Sequence, residues 1–536
     1  MRGRGELLAG VFAALGVQQV LAVPDTMARD QIIEIAYEAQ LLKWYCETYN
    51  IYSGVANATC PYSAPGWQQG ISYKWGGTDT RDSFWKNVVT NHGWAGDTNS
   101  AAIVSGTYGD DCSGYASNCL RSGRYTTSSF PSICTQVTYT SIAPGDLMNN
   151  AGSHVRIFEK YTGTNLTMLL ECTTGVSPGR VTRRVLATDS NYVPLRYNYV
   201  VAWPSLTKVV AGSGGSATVE FLGAATTGFR VYTSTDAATW SLAANETLLG
   251  PQSQQCTLSG LQPGTTYFVR VTAVNGSTET SPSPVLAMRI APAAKKILLV
   301  NGYDRWTRKT ESGGNAHTFL VRDAKPLATL GFAFDSVDNL RVLDRSMSLS
   351  SYDAVWWLLG DESSTDDALS YQEQLALQDY LEAGGNLFIS GSELLYDLVA
   401  KANTINDLAF VQNYLKCGYA SDGTAGNGYA FTGVAGSVFQ GLAGSFDNGS
   451  SGTFNVYYPD VLTPQGASVA VLQYATGGTA GIQYTGTVGN GSKSAKICLA
   501  GFPFETITSE SVRFEFARRV ANFFFAPTEV GNWKVY

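Results

Sequence analysis

The hydrophobic period of this 536-residue chain changes twice, and these changes limit how it can fold. Between about 206 and 290, alternating runs such as Ala217-Thr218-Val219-Glu220-Phe221 are separated by turns roughly every 8–12 residues. Alternation with a period of two is typical of half-buried strands, whereas the segments on both sides combine helical spacing with strands. A chain of this length exceeds what one core can bury, so the sequence predicts a multidomain protein.

The pattern predicts four segments. We expect a signal peptide at 1–22, an α+β domain at 23–204, a β-sandwich at 205–291 and an α/β domain with a doubly wound parallel sheet at 295–527. In the second segment we expect helices at 24–49 and 113–120 and strands near 154–160, 166–172, 181–186 and 198–203. In the last segment we expect strands at 296–300, 354–359, 386–390 and 495–500, helices at 317–330, 371–383 and 511–525, and either a β-rich insertion or long loops at 410–490.

The N-terminus has the three parts of a secretory signal. Arg2 and Arg4 precede an apolar stretch that ends at Val20-Leu21-Ala22, a small-x-small cleavage site. A membrane anchor is the alternative, but the stretch is about 15 residues long and a span needs about 20. No other segment is apolar enough to cross a membrane. We therefore expect a secreted, periplasmic or cell-surface protein.

Composition narrows the range of partners. The net charge is -7 and the sequence has no Lys/Arg cluster, which argues against nucleic acid. Abundant Gly, Tyr and Trp with only 15% charged residues are typical of secreted proteins that meet polysaccharide. The sequence contains no metal-ligand spacing, phosphate-binding loop or cofactor motif, and it has only three histidines, so we expect neither a metal nor a cofactor.

The nine cysteines are an odd number, so an oxidising compartment would leave at least one free thiol. Cys46 and Cys60 flank a Tyr-rich turn and are candidates for a local disulfide, and Cys119 and Cys134 are a weaker pair. Cys112 is the thiol that we expect to remain free.

Cys112 lies in Asp111-Cys112-Ser113-Gly114 at a loop-to-helix junction, and Ser153-His154-Val155 begins a predicted strand. The partial positive charge of a helix N-terminus and a histidine partner both favour the thiolate, which is the reactive form of cysteine. We therefore expect Cys112 to be a nucleophile and His154 its acid/base partner. The alternatives are a disulfide-bonded or merely buried cysteine and a structural histidine. The other histidines, His92 and His317, lie in a loop and in the last domain.

Four motifs occur in order: Tyr73-Lys74-Trp75-Gly76-Gly77, Asp111-Cys112-Ser113-Gly114-Tyr115, Pro144-Gly145-Asp146-Leu147 and His154-Val155-Arg156-Ile157-Phe158. Over roughly residues 60–175 this resembles the NlpC-type cell-wall peptidases, papain-like cysteine hydrolases that cut the peptide stems of peptidoglycan. The resemblance implies that Tyr73, Trp75 and Ser113 line the substrate and oxyanion side of the site. It also implies a polar group on the next strand that orients the histidine, and Glu171 is the titratable candidate there.

Two features depart from that family. About 34 residues separate Gly77 from Cys112, a longer insertion than usual, and Arg156 stands where small residues are common. Both are expected near the cleft, so the substrate is expected to differ from a standard peptide stem more than the chemistry does.

The other two domains have resemblances of their own. The run Leu258-Ser259-Gly260-Leu261-Gln262-Pro263-Gly264-Thr265-Thr266-Tyr267 feeds a strand through a tyrosine that can bond back to the loop, and this resembles a fibronectin type III domain. Residues 295–527 are similar to the class I glutamine amidotransferase fold, with Gly384–Gly391 at the elbow. The nucleophilic cysteine of that family is absent, and Ser390 or Ser392 occupies its place.

Together these features predict a secreted cysteine hydrolase, endopeptidase or amidase, that acts on peptidoglycan and carries accessory domains for docking to wall or cell-surface glycan. Two alternatives stay open. One is a secreted protein that binds or processes polysaccharide, with its main function in the C-terminal domain, where Asp361, Glu362 and Glu505 follow predicted strands. The other is a non-catalytic adhesion or scaffold protein.

Overall fold

The computed structural model describes residues 26–292, 294–305, 318–362, 366–401, 405–424, 426 and 428–525. The chain is multidomain, with a β-sandwich, extensive sheets and some helices. The expected signal peptide and His317 lie outside the described residues. Within the described ranges, every helix is too short or too polar to cross a membrane.

The first segment places one antiparallel sheet against two helices. The sheet has six strands, in the order Cys134–Gln136, Val193–Tyr197, Leu147–Asn150, His154–Gly163, Leu166–Thr173 and Arg180–Ala187. Apolar side chains of the helices Arg29–Leu41 and Cys112–Cys119 share a core with the inner face of this sheet. Short pairs join Lys43–Cys46 to Gly66–Gln69 and Trp94–Ala95 to Thr107–Tyr108.

Two elements differ from the sequence prediction. The first helix ends at Leu41 rather than near residue 49, because Trp44 and Cys46 point into the core while Tyr45 points outward. That alternation has the period of a strand, not of a helix. The strand expected at 198–203 lies instead at Val193–Tyr197, where it pairs with strands on both sides.

Residues 205–289 form the β-sandwich. One sheet joins Ser205–Ala211, Ala217–Leu222 and Gln255–Leu258, and the other joins Gly228–Ser234, Ser241–Ala244, Thr266–Asn275, Thr278–Glu279 and Leu286–Arg289. The Tyr267 hydroxyl accepts a hydrogen bond of 2.9 Å from the backbone N–H of Gln262, as the sequence predicted.

The last segment is built on parallel strands, in the order Ala333–Asp338, Lys296–Asn301, Ala354–Leu358, Asn386–Ser390 and Ala495–Ala500. Its helices include Leu320–Thr329, Leu340–Leu343, Tyr371–Glu382, Asp407–Phe410 and Glu510–Phe524. The sequence analysis missed Ala333–Asp338, because Asp335, Ser336 and Asp338 interrupt its apolar pattern although all six residues are buried. The region 410–490 is β-rich, with strands Cys417–Asp422, Ala430–Gly433, Ala443–Ser445, Asp460–Pro464, Val469–Tyr474 and Thr479–Gly486.

Shorter helical turns complete the fold: Thr48–Asn50, Arg81–Phe84, Trp85–Thr90, Phe130–Ser132, Leu349–Ser351, Tyr396–Ala400, Val411–Leu415 and Phe504–Thr506. The segments contact one another directly. The sandwich strand Ser205–Ala211 pairs antiparallel with Ala333–Asp338 at the edge of the parallel sheet. An ion pair of 2.5 Å between Arg81 and Asp367 ties the first segment to the last.

Candidate active site

Cys112 is the first residue of its helix, and Asp111 is the N-cap with extended backbone angles. Asp111 Oδ1 accepts hydrogen bonds from the Gly114 N–H at 2.7 Å and from the Ser113 hydroxyl at 2.9 Å. This cap satisfies one of the N–H groups that lack intrahelical partners in the first turn. It places the Cys112 thiol, in a side chain that is 8% exposed, at the positive end of the helix.

The cap also connects the nucleophile loop to the Trp-Gly-Gly loop. Asp111 Oδ2 accepts from the Gly76 N–H at 3.0 Å, and Arg124 donates to both carboxylate oxygens at 2.9 and 2.5 Å. The helix approaches Gly77 so closely that a Cβ at Gly114 would lie 2.0 Å from the Gly77 carbonyl oxygen. The two loops therefore form one tightly packed unit around the thiol.

His154 and Glu171 form the second part of the site. His154 Nε2 lies 2.6 Å from Glu171 Oε2, and Glu171 is fully buried. Burial would raise the pKa of Glu171, but the hydrogen bond and charge of His154 and two nearby arginines lower it to about 2. Burial alone would lower the pKa of His154, but hydrogen-bond and charge interactions with Cys112 and Glu171 raise it to about 9. The imidazole is therefore set between the thiol and a permanently ionised carboxylate.

Strand geometry explains why these groups meet. His154 and Arg156 are two residues apart and lie on the same face of their strand, and Glu171 comes from the neighbouring strand. Arg156 Nε donates to Glu171 Oε2 at 3.0 Å, and Arg184, on the next strand, donates its Nε–H to Glu171 Oε1 at 2.5 Å. The carboxylate thus has three cationic or potentially cationic partners.

The three residues assigned to the substrate side have different surroundings. Tyr73 is buried, its hydroxyl has no hydrogen-bond partner among the described residues, and burial together with the nearby Cys112 raises its pKa. Trp75 is 41% exposed and borders Gly76 of the cap network. Ser113 is buried and donates its hydroxyl to Asp111, so it supports the helix cap.

Three further residues surround the site that the sequence motifs did not indicate: Arg124, Arg184 and Tyr192. The Tyr192 ring lies edge-on to His154, with centroids 6.4 Å apart, and the Arg156 guanidinium lies over that ring at 4.0 Å. The period of its strand gives no signal for Arg184, because its neighbours Arg183 and Val185 are exposed. Arg124 and Tyr192 follow loops and carry no such signal either.

Asp146 of the Pro-Gly-Asp-Leu motif is fully buried and positions the strand before His154. Arg29 donates to it at 3.0 Å and Arg196 at 2.8 Å, and the Ala143 N–H adds a bond of 2.9 Å. Gly145 has a φ of 85°, which a residue with a side chain rarely adopts. The turn therefore anchors the start of the inner strand Leu147–Asn150, which leads to the histidine.

All nine cysteines are free thiols in the structure. The disulfide expected between Cys46 and Cys60 is absent, and the two thiols donate instead to the carbonyls of Glu47 and Ala95. Cys119 and Cys134 are likewise unpaired. Cys112 has a free thiol.

The last segment carries three buried acids after its parallel strands. Asp361, Glu362 and Glu505 are each at most 2% exposed. Asp361 accepts from the Tyr303 hydroxyl at 2.6 Å, and the Ser390 hydroxyl accepts from the Phe504 N–H at 3.3 Å. Ser390 is therefore engaged within the fold.

Comparisons with known proteins concern mainly the sandwich. Residues 204–289 match the family model of the fibronectin type III domain, which confirms that part of the predicted resemblance. A Fn3-like protein from Clostridium thermocellum is 27% identical, with 16% of this chain and 88% of that chain covered and a TM-score of 0.15. A two-domain fibronectin type III segment of chicken tenascin is 14% identical, with coverages of 29% and 97% and a TM-score of 0.15.

A catalytic mutant of Gan42B, a GH42 β-galactosidase from G. stearothermophilus, is 13% identical, with 43% of this chain and 30% of that chain covered and a TM-score of 0.29. No curated protein matches the chain. The resemblances of 23–204 and 295–527 stay predictions.

Proposed function

We propose that this chain is an exported cysteine hydrolase that cleaves amide bonds in the peptide stems of peptidoglycan, as an endopeptidase or amidase. The observation that carries the proposal is the convergence of Cys112, at a capped helix N-terminus, with His154, which interacts with both the thiol and a fully buried Glu171. A papain-like fold for 23–204 and a doubly wound fold for 295–527 belong to the proposal. So do a secreted, periplasmic or cell-surface location and a glycan-docking role for the later domains.

In the first step, the Cys112 thiolate attacks the carbonyl carbon of the amide. A C–S bond forms, the carbonyl π electrons move to oxygen, and collapse of this intermediate expels the amine. His154 donates a proton to that amine as general acid. Because Nε2 of His154 is engaged by Glu171, the nitrogen that serves Cys112 is Nδ1. Water then hydrolyses the thioester, with the neutral imidazole as the base.

The electrostatics suit this sequence of steps. A His154 pKa of about 9 keeps the imidazole protonated at neutral pH, where it stabilises a thiolate and can supply the proton. A Glu171 pKa of about 2 keeps the carboxylate ionised throughout, so it fixes the orientation of the ring without taking up the proton itself. Oxyanion stabilisation falls to the Cys112 N–H and the Tyr73 hydroxyl.

The first test needs no substrate. The wild-type protein is treated with iodoacetamide near neutral pH, and the labelled cysteines are located by mass spectrometry. Cys60 and Cys256 are partly exposed and serve as internal references, and Cys60 is the more demanding one because burial raises the pKa of Cys256 to about 11. We expect Cys112 to react faster than both references and to slow at least tenfold in His154→Ala, while the references keep their rates.

The second test is digestion of purified peptidoglycan by wild type and Cys112→Ala, with released amines or carboxyls identified by mass spectrometry. Loss of cleavage in the variant at unchanged thermal stability supports the proposal. A Cys112 that reacts no faster than Cys60 and Cys256, or a rate that does not depend on His154, contradicts it.

A further inference from the structure

We infer that Arg156 is a substrate-recognition residue, whose guanidinium selects substrates that carry a carboxylate close to the scissile amide. The inference rests on the proposed function and specifies the substrate class of that site. It starts from a departure noted in the sequence, an arginine at a position where small residues are common.

The Arg156 guanidinium has N–H groups that are available to a ligand. Its Nε–H is used by Glu171 at 3.0 Å, but neither terminal nitrogen has a hydrogen-bond partner among the described residues. The side chain is 13% exposed, so part of it reaches the surface beside His154. A guanidinium presents its terminal N–H groups in a planar fork that fits the two oxygens of a carboxylate.

The guanidinium is also held in place before any substrate arrives. Glu171 fixes one edge, and the Tyr192 ring packs against its face at 4.0 Å. Tyr192 also lies edge-on to His154, and Arg156 and His154 share the oxygen Oε2 of Glu171. The fork is therefore a near neighbour of the imidazole, and little side-chain entropy remains to be lost on binding.

The charge balance around the site favours an anion. Glu171 is one carboxylate shared by Arg156, Arg184 and His154, which is protonated at neutral pH. Asp111 and Arg124 neutralise each other. Asp189, the acid of the loop that carries Tyr192, accepts its hydrogen bonds from Asn191 at 2.9 Å. Among the groups that contact Glu171 the cations exceed the carboxylate by two charges, and the Cys112 thiolate offsets one of them, so one positive charge is left for the substrate.

The test uses two alkylating reagents that differ in charge. Iodoacetate and iodoacetamide both lose iodide to the Cys112 thiolate, but only iodoacetate carries a carboxylate. We expect wild type to show a higher iodoacetate/iodoacetamide rate ratio at Cys112 than at Cys60. The ratio should fall roughly threefold or more in Arg156→Gln, the effect of one unit charge several Å away in a wet site. Arg156→Lys should keep most of the ratio, because it keeps the charge.

Arg184→Gln is the matched control, since it removes the same charge from the same carboxylate but on the far oxygen. A loss of ratio in Arg156→Gln but not in Arg184→Gln supports the inference, because a merely structural role would slow both reagents alike. An unchanged ratio in Arg156→Gln, or an equal loss in both variants, overturns it. An unreactive Cys112 in wild type instead contradicts the proposed function.

Discussion

Glu171→Gln tests the central feature of the site, a permanently ionised carboxylate that holds His154. The substitution keeps the shape of the side chain and removes one buried negative charge. We expect the pKa of His154 to fall, because the amide can still contact Nε2 but no longer stabilises the imidazolium. The pH range in which His154 is protonated should then become narrower at its alkaline end.

The size of the effect follows from the site. The ordinary pKa of His154 is 6.5, and Cys112 and Glu171 together raise it to about 9 against the effect of burial. If Glu171 supplies about half of that rise, its loss lowers the pKa of His154 by at least about one pH unit, worth about 1.4 kcal/mol. Arg156 and Arg184, left without their partner, act in the same direction.

Stability should change as well, and the sign depends on pH. The raised pKa of His154 contributes stability that is complete below about pH 6.5 and is lost as the pH rises through about 9. The lowered pKa of Glu171 contributes stability that is present above its ordinary pKa of 4.5 and is lost as the pH falls through about 2. At neutral pH the variant lacks the contribution of Glu171 and the part of the His154 contribution that Glu171 supplies. We expect a loss of about 2–4 kcal/mol, since removing one partner leaves partly buried arginines unpaired.

The assays are the pH profile of Cys112 alkylation by iodoacetamide between about pH 5 and 10 and the free energy of unfolding in urea. Glu159→Gln is the control, because Glu159 is also buried and pairs with Arg183 at 2.6 Å on the same sheet. It should lose stability without moving the alkylation profile. An alkylation profile in Glu171→Gln that matches wild type would refute the assignment of Glu171 as the group that governs His154.

Three further predictions concern how the site and the sandwich are supported. Asp146→Ala should lower the free energy of unfolding by about 3–5 kcal/mol, measured in urea, because it leaves two arginines without their carboxylate partner, one of them fully buried. Gly114→Ala should lower the free energy of unfolding by more than about 2 kcal/mol and slow alkylation of Cys112, because its Cβ would lie 2.0 Å from a backbone atom. Gly66→Ala is the control and should leave stability nearly unchanged, because a Cβ there has no atom within 4 Å. Tyr267→Phe should lower the free energy of unfolding by about 1 kcal/mol, measured by thermal unfolding, because the hydrogen bond from the loop is lost. Unchanged stability would mean that this hydrogen bond does not stabilise the sandwich.

The sequence predicted those helices and strands whose formation depends only on residues within the same segment. The helix after Asp111 follows from the N-cap, and the sandwich strands follow from their alternation. Ala333–Asp338 was missed because its polar residues are satisfied only by distant partners, such as the Tyr352 hydroxyl 2.7 Å from Asp335. The first helix was extended too far because the Lys43–Cys46 strand depends on pairing with a segment some twenty residues later.

The candidate site shows the same division. Cys112 and His154 stand in motifs, and Glu171 follows from which strand must lie next to the histidine. Arg184 and Tyr192 meet this group only after the sheet has formed and the chain has returned from a loop. Their roles depend on contacts between elements, which composition and spacing do not encode.

The acid at position 171 and the arginine at position 156 have one physical cause. A carboxylate with no exposure to water is stable only with compensating charge, and Arg156 and Arg184 provide it. A small residue at 156 would leave Glu171 with one arginine and the imidazole. With a neutral residue at position 171, Arg156 would lack the carboxylate that holds its guanidinium in place. The acid and the arginine are therefore expected to depend on each other.

A double-mutant cycle measures this dependence. Arg156→Gly and Glu171→Gln should each destabilise the protein, but together they remove both charges and leave fewer groups unpaired. The double variant should therefore be more stable than the sum of the single effects predicts, by at least about 1 kcal/mol. Arg183→Gly with Glu171→Gln is the matched control and should be additive, because Arg183 pairs with Glu159 and not with Glu171. Additivity within about 0.5 kcal/mol in the Arg156 cycle would mean that the arginine does not compensate the acid, and Arg184 and His154 would then suffice to keep Glu171 ionised.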